Sequence, residues 1–225
     1  MHLLSRRRKD TFTSPRRTVF LLRHPEIDNP PSQRRYIGHT DLPLSDTGRR
    51  QAAAWAKALS PVWFDAIACS DLRRCKQTAI PIAGDRQVAV QPLRMLREVY
   101  LGDWEGLSVE DVRRSFGGEY YRRGQALADH CPPGGESFRN LAERVLPAFC
   151  QVVKHAAGPV LVVGHAGVNR VILCHILGMP LESMFRLGQD YAAMNLIETD
   201  GDRFRVVGIN IPLSAWPTQY LAPAC

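Results

Sequence analysis

Three short apolar runs constrain this chain more than any other feature. They are TVFLL at Thr18–Leu22, DAIAC at Asp65–Cys69 and VLVV at Val160–Val163. Each is too short for a helix and rich in β-branched or small apolar residues, so each reads as a strand buried on both faces. Each also breaks off into polar residues: Arg23-His24, Ser70 to Arg74, and Gly164-His165. Helical patterns separate the runs. Ser45 is placed to cap DTGRRQAAAWAKAL, and Ser70 to cap DLRRCKQTAIPIA. Phe138 to His155 is helical in period, with Pro147 expected to kink or interrupt it, and Asn169 to Leu177 follows the third run. Val88–Val90 reads as a short strand, and residues 191–198 and 203–209 as a terminal strand pair turning at Asp200-Gly201. Residues 91–136 are less regular, with two short helical patches and the loop CPPGGES.

Strands that alternate with helices predict an α/β domain, a three-layer α/β/α sandwich around a mostly parallel central sheet. In such sheets ligands bind at the carboxyl ends of the strands, which is where the three polar clusters fall. The 225 residues suit one domain, expected over residues 18–225, and an apolar share of 45% can bury its core.

Residues 1–17 form a basic tail, expected to be an extension outside the fold. Arg6, Arg7, Arg8, Lys9, Arg16 and Arg17 stand there against Asp10 alone, so most of the +7 net charge sits in the tail. A charge so placed argues against a folded nucleic-acid-binding face, and no nucleic-acid partner is expected. The tail lacks the apolar stretch of a secretory signal, and no run of about 18 apolar residues offers a membrane span. The six cysteines show no CxxC spacing or paired framework. They read as buried, reduced thiols of a cytoplasmic protein, with no metal site.

The polar clusters carry the chemistry. A neutral histidine beside a guanidinium, as in Arg23-His24, can accept a phosphoryl group while the arginine stabilises the charge on its oxygens. His165 lies among Gly164, Ala166 and Gly167, small residues that let a ligand approach the backbone. Arg74, in the first turn after DAIAC, can bind phosphate bidentately. Glu98, in LREVYLGDWEG, is a candidate general acid, since a leaving alkoxide needs a proton and a carboxyl near phosphate can have a raised pKa. Taken singly, each of these also has an ordinary structural reading.

Taken together, FLLRHPE, YIGHTDLPLSDTGRRQA, SDLRRCKQTA, LREVYLGDWEG, PGGES and VVGHAGV resemble the histidine phosphatase superfamily, also called phosphoglycerate-mutase-like, in order and spacing over about residues 18–210. The resemblance implies His24 as the nucleophile and Arg23 as a phosphate ligand. It places the second arginine of the S-x-L-x-R segment at Arg74, with Arg73 the neighbouring alternative. His165 would bond phosphoryl oxygens, and Glu98 would protonate the leaving group, with Glu105 of WEG as fallback. Asn29 is a further candidate phosphate ligand. No metal or organic cofactor is implied, the partner is a small phosphorylated metabolite, and homodimers are common in the superfamily. The chain departs from the pattern at Pro25, where glycine is usual, which removes a backbone N–H.

The modest segment between Glu98 and His165 favours hydrolysis over transfer, because a mutase must exclude water. YIGHTDLPLS, LREVYLGDWEG and PGGES look most like α-ribazole phosphatases, which implies α-ribazole 5′-phosphate as a substrate and a place in cobalamin biosynthesis. A cofactor-dependent phosphoglycerate mutase and a broad-specificity sugar phosphatase are the alternatives.

Overall fold

The computed structural model describes residues 16–29 and 34–216. Six strands form one sheet in the order β3-β2-β4-β1-β5-β6. These are β1 (Arg17–Arg23), β2 (Ala66–Ser70), β3 (Val90–Leu93), β4 (Val160–Gly164), β5 (Met194–Thr199) and β6 (Phe204–Ile211). The four strands β3, β2, β4 and β1 are parallel, and β5 runs antiparallel to both β1 and β6.

The pleat of β1 divides the core. Val19 and Leu21 face one layer, packing with Leu141, Val145, Phe149 and Val153 of α5 (Phe138–His155) and Val168, Val171 and Ile172 of α6 (Ala166–Leu177). Phe20 and Leu22 face the other, with Trp55 of α1 (Asp46–Ala58) and Cys75, Ala79 and Ile82 of α2 (Arg73–Ala83). A strand buried on both sides needs helices on both sides, so the central runs are almost wholly apolar. This is the three-layer α/β/α sandwich that the alternation predicts. Two short helices, α3 (Val109–Ser115) and α4 (Gly117–Gln125), lie between β3 and α5.

Several local expectations hold and others shift. Ser45 caps α1, its Oγ accepting from the Gly48 amide at 3.0 Å, a contact worth about 1 kcal/mol. Ser70 does not cap α2. It ends β2, two residues too early, and Asp41 reaches across from another loop to accept from the Arg73 amide at 2.6 Å. The third strand spans Val90–Leu93 rather than 88–90, and α6 begins at Ala166, directly behind His165. Helix α5 runs unbroken through Pro147. That proline is exposed, so water can serve the carbonyl left without a partner, and the buried stripe on the opposite face offsets the cost.

The basic tail lies outside the described residues except for its last two. Arg17 opens β1 and donates to the Val153 carbonyl at 2.9 Å, and Arg16 pairs with Glu198. Of the cysteines, Cys69, Cys75 and Cys174 are buried, whereas Cys131 is exposed, contrary to the expectation of uniformly buried thiols. No described helix is long and apolar enough to cross a membrane.

Candidate active site

Strands β1 and β4 run side by side with Arg23 in register with Gly164, so the residues that follow meet at one sheet edge. The His24 amide donates to the Gly164 carbonyl at 3.0 Å, and the His24 and His165 rings stand 5.1 Å apart, centroid to centroid. Nδ1 of His24 lies 2.8 Å from the Pro25 carbonyl. A carbonyl only accepts, so Nδ1 carries the proton and Nε2 keeps its lone pair. Burial, together with the nearby guanidiniums of Arg74 and Arg23, holds the His24 pKa well below its ordinary value near 6.5. His165 is held down in the same way, by burial and Arg74 first. Its Nδ1 accepts from Arg74 Nε at 3.3 Å, which leaves the ring proton on Nε2. Pro25 therefore supplies no N–H, but its carbonyl orients the imidazole.

Arg74 is 1% exposed and has no carboxylate partner among the described residues. Its Nη1 and Nη2 donate to the carbonyls of Thr40 and Gly38 at 2.8 and 2.7 Å. Glu105 holds that loop in turn, accepting from the amides of Gly38 (3.1 Å) and His39 (2.6 Å) and from the Thr40 hydroxyl (2.7 Å). Glu105, the fallback acid, is thus spent on shaping the cradle of Arg74. Arg73, the alternative arginine, is exposed and offers only its amide, to Asp41.

Arg23 donates from Nη1 to the Gln189 carbonyl at 2.6 Å and lies 3.9 Å from the Tyr191 ring centroid. Its Nε is buried and has no hydrogen-bond partner among the described residues. Gln189 is fixed by reciprocal amide bonds with Asn195, at 2.7 and 3.0 Å, and by Asn169 at 3.1 Å.

Glu98 completes the arrangement. Its Oε2 accepts from the Gly167 amide at 3.0 Å and its Oε1 from Val99 at 2.9 Å. Residue 167 must be glycine for this approach, because a Cβ there would stand 2.4 Å from Glu98 Oε1. Arg144 clamps the segment from behind, donating to the carbonyls of Met95, Arg97 and Glu98, each at 2.8 Å. Arg144 pairs with Glu136 of the PGGES loop.

One cleft of about 360 Å³ is lined by Arg23, His24, Arg74, Glu98 and His165 together. A larger cavity of about 480 Å³ beside Asp65, Met95 and His155 contains none of them. Two imidazoles, two guanidiniums and a carboxyl around one cleft can bind a phosphoryl group and offer it both a nucleophile and a proton.

The family profile of the histidine phosphatase superfamily (branch 1) matches residues 19–212. This chain belongs to the histidine phosphatase superfamily. It is 31% identical to the adenosylcobalamin/α-ribazole phosphatase of Escherichia coli K12 over 72% of this chain and 81% of that protein. It is 35% identical to the glucosyl-3-phosphoglycerate phosphatase of Mycolicibacterium vanbaalenii over 76% and 79%. Among solved structures, the α-ribazole phosphatase from Shigella flexneri superposes with a TM-score of 0.79 at 28% identity, covering 86% of this chain and 96% of that one. The chain is accordingly a phosphatase, as the motifs imply.

In this histidine phosphatase Asn29 lines the cleft, but its amide is engaged with the backbone of Arg35, accepting at 2.8 Å and donating at 3.0 Å. Its side chain is thereby tied to Arg35. Sequence reasoning missed Arg144, Gln189, Tyr191 and Asn195. Arg144 sits inside an amphipathic helix, and the others fall in a terminal stretch without a motif. Only the buried polar positions inside β5 hinted at a network.

Proposed function

We propose that this phosphatase hydrolyses a small phosphomonoester by passing the phosphoryl group through a covalent phosphohistidine on Nε2 of His24. The observation that carries the proposal is the Nδ1 contact to the Pro25 carbonyl, which leaves a buried, neutral imidazole with its Nε2 lone pair available. In the first step Nε2 attacks phosphorus, the P–O bond to the alcohol breaks, and Glu98 gives its proton to the departing oxygen. Arg23, Arg74 and the imidazole of His165 stabilise the charge on the non-bridging oxygens. In the second step water attacks the phosphohistidine, Glu98 takes its proton back, the N–P bond breaks, and inorganic phosphate leaves.

The names of the relatives suggest two substrate types, α-ribazole 5′-phosphate and glucosyl-3-phosphoglycerate. A place in cobalamin biosynthesis would follow from the first. The test is phosphate release from p-nitrophenyl phosphate, α-ribazole 5′-phosphate, 3-phosphoglycerate and sugar phosphates, without any bisphosphoglycerate primer. Turnover is expected without primer, and His24→Ala should reduce it at least about a thousandfold while the protein stays folded. A folded His24→Ala variant with undiminished turnover would remove the covalent step from the account.

A further inference from the structure

Six arginines line the cleft, Arg23, Arg34, Arg35, Arg74, Arg123 and Arg170, against a single carboxylate, Glu98. The steps above use two of them. Arg170, in α6, donates from Nε to the Leu187 carbonyl at 2.9 Å, and its guanidinium carbon stands 5.1 Å from the centroid of the Phe185 ring. Arg123, in α4, approaches the same ring at 6.0 Å and the Tyr36 ring at 5.9 Å. Phe185 is 51% exposed and marks the rim of the cleft. Among the described residues no carboxylate forms an ion pair with Arg170 or Arg123. Glu98 spends its oxygens on the amides of Val99 and Gly167. Burial lowers the pKa of Arg170, and the carboxylates of Glu98 and Asp190, which are not within ion-pair distance, only partly oppose that. An anionic ligand beside Phe185 would give both guanidiniums an ion-pair partner through charge-assisted hydrogen bonds.

We infer that Arg170 and Arg123, both beside Phe185, form a second anion subsite, and that the substrate is a phosphomonoester whose alcohol part carries a further anionic group, a carboxylate or a second phosphate. The inference rests on the phosphomonoesterase reading above. It disfavours α-ribazole 5′-phosphate, whose only anionic group is the phosphate to be removed.

Matched substrate pairs test it. 3-Phosphoglycerate and glycerol 3-phosphate share a carbon skeleton and differ by the carboxylate; fructose 1,6-bisphosphate and fructose 6-phosphate differ by a phosphate. The enzyme should prefer the more anionic member of one pair by about tenfold or more in kcat/KM, chiefly through KM. The pair that responds identifies the second group. The preference should fall below about threefold in the Arg170→Gln/Arg123→Gln double variant, and Arg170→Lys should retain part of it as a point charge. Thermal melts establish that the variants fold. An enzyme that turns over p-nitrophenyl phosphate through His24 yet shows no preference in either pair would overturn the inference. So would a preference that survives in the folded double variant. Loss of all p-nitrophenyl phosphate turnover in the unmodified enzyme would instead strike the phosphatase mechanism itself.

Discussion

At His24 one hydrogen bond, to the carbonyl of the next residue, selects which ring nitrogen is free. The surrounding burial and the two guanidiniums then keep that nitrogen unprotonated. The same burial has a consequence for stability. Both His24 and His165 have folded-state pKa values depressed below the ordinary value near 6.5. As pH falls below about 6.5 the unfolded chain takes up protons that the folded protein refuses, so stability drops with falling pH until the folded values are reached. Each histidine contributes a slope of up to about 1.4 kcal/mol per pH unit in that window. Denaturant unfolding between pH 7 and pH 5 should show this slope, reduced in His165→Asn; an unchanged slope would mean that His165 is not kept neutral. In the first step alone, read as the single-turnover release of the alcohol or phenol, Glu98→Gln should slow alkyl phosphates by about a hundredfold or more and p-nitrophenyl phosphate far less, because a good leaving group needs little protonation. Equal slowing of that step for both would remove Glu98 as the acid. These residues were legible in the sequence because each stands at a motif position. Which nitrogen, which carboxyl oxygen and which arginine are in play required the partners that folding supplies.

The elements carry the next level of control. Helix α6 starts immediately behind His165 and turns the Gly167 amide onto Glu98, while Arg144 of α5 grips the far side of the same segment. The loop at Gly38–Thr40 binds Arg74 through two carbonyls and is itself gathered by Glu105. Glu105→Gln would set an amide NH2 among backbone donors and should cost about 1–3 kcal/mol. Through the loosened Arg74 it should also raise KM for p-nitrophenyl phosphate several-fold with a smaller change in kcat. Loss of stability with KM unmoved would make Glu105 a purely structural residue. Strands β1, β2 and β4 were legible because burial on both faces demands continuous apolar runs. The start of α2 was not, because its first amide is served by Asp41, thirty-odd residues away in the chain. Nor was the continuity of α5, which depends on Pro147 falling on the solvent side.

Across the molecule, parallel pairing of β4 with β1 and β2 brings residues from distant parts of the chain to one sheet edge. Core layers pack against both faces of the sheet behind that edge. The alternation of strands and helices made this architecture readable. The lining of the cleft beyond the phosphoryl group was not, since Arg123, Arg170 and Phe185 come from three segments with no common motif. The central claim is the covalent step at His24. Glu98→Gln enzyme should accumulate its intermediate on p-nitrophenyl phosphate, because the aryl group leaves unaided while the attacking water lacks its base. The most direct measurement is to quench that reaction in alkali and map the modified peptide by mass spectrometry. The account predicts one acid-labile, alkali-stable phosphoryl group on the peptide carrying His24, absent from His24→Ala. Steady turnover with that peptide never labelled, or a label on another residue, would contradict it.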